Sequence, residues 1–146
     1  MNYTLRPGTG EDAASFRRLI LTGRINPTGL DWRRFLVALA PDGRVIGCGQ
    51  VKPHSDGTRE LASIAVDPDW RGQGIARAII ERLLDENPGE IYLMCRAELG
   101  PLYGKFGFRQ VPSDQLPRYF RRISRLAGVL DRLRSEGVSL LVMKRD

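Results

Sequence analysis

The stretch TRELASIAVDPDWRGQGIARAIIERLL, Thr58 to Leu84, leaves this chain few folds to choose from. Its first third is a β-rich run. Polar turn residues and two glycines follow, then a run of helix formers with Ile75, Ile79, Ile80, Leu83 and Leu84 on one face. NPGE stops that helix near Glu86. IYLMC comes next and is apolar throughout, as a buried parallel strand is. A strand, a crossover helix and a second strand of this kind form a right-handed parallel unit, and such a unit needs a sheet around it.

The rest of the chain supplies that sheet. YTLRP reads as a short strand closed by a proline. Glu11 to Leu21 has Ala13, Phe16, Leu19 and Ile20 at helical spacing, with Gly23 as a stop. RFLVALA and RVIGCGQVK are β-rich runs joined through PDG, a hairpin signal. After IYLMC a short helix is expected from about Pro101 to Phe106, then a strand at FRQV. Leu116 to Ser135 carries Leu116, Phe120, Ile123, Ala127, Leu130 and Leu133 on one side, so a basic amphipathic helix is expected there. VSLLVMK closes the chain as a strand. The order β-α-β-β-β-α-β-α-β-α-β predicts an α/β protein with a mixed sheet covered on both faces. At 146 residues, one domain spanning 1–146 is expected, with an inserted basic helix at about 115–136 before the last strand.

Several function classes fall away on composition. No apolar run approaches a membrane span, and MNYTLRPGTGED has no apolar segment of the kind a secretory signal needs. Cys48 and Cys95 lack metal-ligand spacing and read as reduced, buried thiols, which predicts a cytoplasmic protein. His54 is the single histidine, so neither a metal site nor a triad built on histidine is expected. Lys and Arg exceed Asp and Glu by 23 − 17 = 6. Arg118, Arg121, Arg122, Arg125, Arg132 and Arg134 concentrate this excess, which suits an anionic partner. No aromatic platform or known nucleic-acid motif accompanies them, so nucleic acid is not the expected partner.

The glycine turn has a chemical reading. A helix start exposes unpaired N–H groups and the positive end of the helix dipole, and so binds phosphate. Gly72 and Gly74 would let the backbone approach an anion, and Arg71 and Arg77 would add charge. The P-loop pattern fails because neither glycine precedes Lys-Ser or Lys-Thr. The dinucleotide fingerprint fails because Arg77 stands at its third glycine. The run does fit R-x-x-G-x-[GA] at Arg71, Gly74 and Ala76. With LYGKFGF about thirty residues on, the sequence resembles the GCN5-related N-acetyltransferases (GNAT). The resemblance implies a mostly antiparallel mixed sheet with one splayed parallel pair and helices on both faces.

It also implies acetyl transfer from acetyl-CoA, as co-substrate and without metal, to a primary amine. Backbone groups of Ile64, Ala65 and Val66 would pair with the pantetheine arm, and one N–H would face the developing oxyanion. The amides from Gly72 through Gln73, Gly74, Ile75 and Ala76 to Arg77 would hold the pyrophosphate. Tyr103 matches the tyrosine placed near the sulfur and could protonate the departing thiolate. Glu60 lies at the register of a glutamate that activates the amine in one branch of the family; Glu98, or water with no dedicated base, remain alternatives. The asparagine frequent after the last parallel strand is missing from CRAELGP.

A small amine or amino acid is the expected acceptor, with Arg24, Arg33 or Arg118 as carboxylate partners. A protein N-terminus or lysine is the alternative acceptor, and a non-catalytic acetyl-CoA sensor the alternative function. The family often dimerises, so a homodimer is among the expectations.

Overall fold

The computed structural model describes the backbone of residues 2–133 and 139–146, and the side chains of these outside 127–133. Among the described residues, seven strands and four helices follow one another in the expected order. They are β1 (Thr4–Pro7), α1 (Ala13–Thr22), β2 (Phe35–Leu39), β3 (Val45–Pro53), β4 (Arg59–Val66), α2 (Ile75–Glu86), β5 (Ile91–Arg96), α3 (Gly100–Gly104), β6 (Arg109–Gln110), α4 (Arg118–Leu133) and β7 (Leu140–Arg145). The strands line up as β1-β2-β3-β4-β5-β7-β6. β4 and β5 pair in parallel, with Glu60 opposite Tyr92. β1–β2, β2–β3, β5–β7 and β6–β7 are antiparallel. This is the mixed, mostly antiparallel sheet expected.

The chain divides into two compact units, Met1–Lys52 with Leu61–Pro88, and Pro53–Glu60 with Gly89–Asp146. In the first unit, alternation along β3 sends Cys48 to one face and Gly47 and Gly49 to the other. Phe16, Leu19 and Ile20 of α1 pack with Cys48, Phe35 and Val37 on the first face. α2 takes the second, where bare glycine backbone lets it come close. A Cβ placed on Gly49 would stand 2.6 Å from Ile64 Cδ1 and 2.8 Å from Ile79 Cγ2. The first unit therefore carries a helix on each face. Arg6 grips Asp12 through two hydrogen bonds of 2.7 and 3.0 Å, and fixes the entry into α1.

In the second unit, alternation along β5 separates Tyr92 and Met94 from Leu93 and Cys95. Phe120 of α4 is fully buried against Tyr92 and Val142. On the other face Cys95 Sγ lies 3.9 Å from Met143 Sδ, and Gly100 of α3 sits against Leu141, the β7 residue opposite Cys95. α3 and α4 thus cover opposite faces.

Three boundaries differ from the sequence reading. The basic helix begins at Arg118, not Leu116, because Pro117 disfavours helical backbone in the residue before it. Leu116 is accordingly extended, at φ −67° and ψ 133°. The strand expected over FRQV shortens to Arg109–Gln110, since Pro112 cannot donate to a ladder. α3 ends at Gly104, a residue or two before the expected end. Arg118, Arg121, Arg122 and Arg125 are exposed, Phe120 is buried and Ile123 half-buried. The side chains of Ala127, Leu130, Arg132, Leu133 and Arg134 lie outside the described residues.

Candidate active site

The glycine turn of the first unit is built from both ends. Asp67 N–H donates to Ile46 O at 2.8 Å, and the Asp67 carboxylate accepts the N–H of Asp69 at 2.9 Å. One 3-10 turn follows, Pro68–Trp70, with Trp70 buried as its anchor. Gly72 and Gly74 then take left-handed backbone, φ 79° and 78°. Only glycine adopts this freely, and the space where either Cβ would stand is open to 4 Å.

Gly74 caps α2, whose first intrahelical bond is Ala78 N–H to Gly74 O at 3.0 Å. The N–H groups of Ile75, Ala76 and Arg77 lie ahead of that bond, as at any helix start. Gln73 Oε1 is buried and has no partner among the described residues. Arg71 is exposed, while Arg77 pairs with Glu81 at 2.9 Å on the outer face of α2. Left-handed glycines, open space and free helix-start amides fit a pyrophosphate held from the backbone.

Ile64, Ala65 and Val66 end β4, next to a feature the sequence does not show. Ser63 sits at φ 61°, left-handed for a residue that is not glycine. Backbone of this kind costs on the order of 1–3 kcal/mol and persists only where its surroundings hold it. Here Gln50 Nε2 donates to Ser63 Oγ at 2.9 Å, and the Cys48 thiol donates to Ser63 O at 3.4 Å. The kink re-aims the backbone groups that follow it. Burial pushes the Cys48 thiol up to about 12, so it stays protonated and inert.

In the second unit, Glu60 is not the exposed strand-end carboxylate its position in the sequence allows. It is buried, and its Oε1 lies 2.7 Å from His54 Nε2, with side-chain exposures of 11% and 9%. The single histidine of the chain is thus paired with a carboxylate. Residue 54 pairs with 58 across the turn (His54 N–H to Thr58 O, 2.9 Å), and alternation brings residue 60 round to the same face. Tyr119 stacks on the imidazole with ring centroids 3.4 Å apart and planes 14° from parallel, and Phe120 meets it edge-on at 5.9 Å. Asp56 of the turn accepts the Tyr119 N–H at 2.9 Å and the Thr58 hydroxyl at 2.6 Å. Desolvation opposes the Asp56 charge, but these bonds and the Thr58 N–H outweigh it and draw the carboxyl down to about 2.

Tyr103 of α3 lies on the Cys95 face, opposite the His54–Glu60 pair. Burial, and to a lesser degree the Cys95 thiol, pushes its phenol up to about 12. Phe108 meets its ring edge-on at 6.2 Å. Glu98 is exposed in the turn Ala97–Leu99. Of the expected carboxylate partners, Arg24 and Arg118 are exposed, and Arg33 lies over the Trp32 ring at 4.8 Å beside Asp31.

Comparison with known proteins places this arrangement. Residues 31–110 match the Acetyltransferase (GNAT) domain family. The chain belongs to the GNAT acetyltransferase family. It is 43% identical over 54 residues to an amino-acid acetyltransferase of Mycobacterium tuberculosis, a match covering 36% of this chain and 31% of that protein. The chain thus matches about a third of that relative's length.

Its fold resembles N-acetylglutamate synthase of Neisseria gonorrhoeae, complexed with coenzyme A and N-acetyl-glutamate. The TM-score is 0.72 at 20% identity, covering 99% of this chain and 35% of that one. A Mycobacterium tuberculosis protein in complex with CoA gives 0.72 at 24%, over 97% and 98%. The ribosomal-protein-S18-alanine N-acetyltransferase of Escherichia coli gives 0.67 at 18%, over 99% and 93%. Among the described residues, no helix is long and apolar enough to cross a membrane.

Proposed function

We propose that this chain is an acetyl-CoA-dependent N-acetyltransferase that moves an acetyl group directly to a primary amine, with small molecules and amino acids as its acceptors. The observation that carries the reading is the turn from Asp67 to Gly74. A GNAT chain that spends two left-handed glycines on opening a helix start toward empty space has a phosphate binder there. The amides from Gly72 to Arg77 hold the pyrophosphate, with Gln73, Ile75 and Ala76 among them, and Arg71 adds charge. The kinked end of β4 offers Ile64, Ala65 and Val66 as backbone partners for the pantetheine arm.

In the second unit, the Tyr103 hydroxyl protonates the departing thiolate, and Glu60 is the carboxylate on which deprotonation of the amine depends. Amino acids come first among acceptors because the sequence relative is an amino-acid acetyltransferase. The protein works in the cytoplasm as one catalytic domain, with its basic helix inserted before the last strand.

The decisive experiment is release of free CoA thiol across a panel of amines, amino acids and peptides. Turnover on an amino acid is expected. Acetyl-CoA binding with no turnover on any amine would make the protein a sensor instead. Gly74→Glu should weaken acetyl-CoA binding roughly ten- to a thousandfold, since it adds a charge and a strained side chain at the turn. Unchanged affinity by calorimetry would remove the phosphate-binding assignment.

A further inference from the structure

We infer that His54 is the general base of this site, and that Glu60 and Tyr119 are the residues that position it. The assignment deepens the acetyl-transfer reading and rests on it. A carboxylate only accepts hydrogen bonds, so in the neutral ring the 2.7 Å contact to Glu60 takes the Nε2 proton and the lone pair falls on Nδ1. Nδ1 has no protein partner among the described residues. The Tyr119 ring covers a face of the imidazole and fixes its plane. A lone pair on Nδ1 lies in that plane, so stacking leaves it open.

The fixing is itself supported: Asp56 holds the backbone of Tyr119, and Thr58 holds Asp56. An imidazole oriented by a buried carboxylate, with its far nitrogen free, is the arrangement that general bases adopt on unrelated folds. Glu60 is the less suited of the two, because one of its oxygens is already committed. Imidazole is also the side chain that exchanges protons most readily near neutral pH.

The titratable groups around His54 are Glu60 from β4, Asp56 from the turn and the Tyr119 phenol from α4. In the step, an N–H bond of the acceptor ammonium breaks and its proton goes to Nδ1. The freed electron pair forms the C–N bond at the thioester carbonyl, and the nitrogen, cationic once bonded to carbon, gives up a second proton to water. The C–S bond breaks, sulfur leaves with its electron pair, and the Tyr103 hydroxyl, working from the face opposite His54, gives it a proton that water replaces. The imidazolium then returns its proton to water.

Three measurements test this on the full chain with its best acceptor. His54→Gln keeps a donor toward Glu60 but has no basic nitrogen. Its kcat/KM should fall about 10²–10³-fold with acetyl-CoA affinity unchanged. His54→Ala should regain at least tenfold in turnover when imidazole is added, in proportion to the free base. Because His54 is the single histidine, ¹⁵N-histidine spectra report it alone, and they should show Nε2 protonated and Nδ1 bare. No imidazole rescue, a Glu60→Gln loss larger than that of His54→Gln, or a proton on Nδ1 would each overturn the base assignment while acetyl transfer stands. Wild-type protein that binds acetyl-CoA and acetylates nothing would overturn both.

Discussion

At the scale of single residues, the two ends of the proposed reaction differ in how their environments set them. Tyr103 is held neutral: with burial pushing its phenol up to about 12, it remains a proton donor across any working pH. Tyr103→Phe removes only the hydroxyl, and the ring keeps its edge contact with Phe108. The expected result is a kcat lower by about 10²–10⁴ with little change in acetyl-CoA affinity. Full turnover in the variant would leave Tyr103 a packing residue. Tyr103 was legible because LYGKFGF is a contiguous pattern. His54 was not, because its meaning depends on a partner six residues away across a turn whose pairing the sequence leaves open.

At the scale of elements, the close fit of α2 on β3 sets where the glycine turn stands. Ile64, Ile79 and Leu83 occupy the space a side chain at Gly49 would need. Gly49→Val should therefore force α2 outward and destabilise the protein by about 1–3 kcal/mol, with a lower thermal midpoint and weaker acetyl-CoA binding. An unshifted midpoint would mean that the helix yields without strain. The α2 boundaries were readable to the residue because the glycine turn starts the helix and NPGE ends it. The start of α4 lies two residues beyond the apolar period, which continues back through Leu116, because the local effect of Pro117 on backbone angles decides the boundary.

At the scale of the whole molecule, burial of neutral acids predicts how stability responds to alkali. Cys48, in the first unit, is pushed from an ordinary value of 9.0 to about 12, and Tyr103, in the second, from 10.0 to about 12. The unfolded chain therefore loses these protons at lower pH than the folded one. Their contribution is complete below about pH 9 and declines as pH rises toward 12, at about 1.4 kcal/mol per pH unit for each group within its own window. Thermal midpoints should hold to about pH 9 and fall beyond it, and Cys48→Ala with Tyr103→Phe should flatten the decline. A midpoint indifferent to pH between 9 and 11 would contradict the burial of both groups.

The sequence by itself determined the order of elements, the parallel unit around the glycine turn, and the family. These depend on local chemistry: hydrophobic period, glycine and proline placement, and short contiguous motifs. Only the tertiary structure decided the pairing of His54 with Glu60, the stacking of Tyr119 on His54, and the strained backbone of Ser63 held by Gln50 and Cys48. Each joins residues whose approach is fixed by strand register and helix docking. A slip of one residue in the hairpin would turn Glu60 to the opposite face and dissolve the pair.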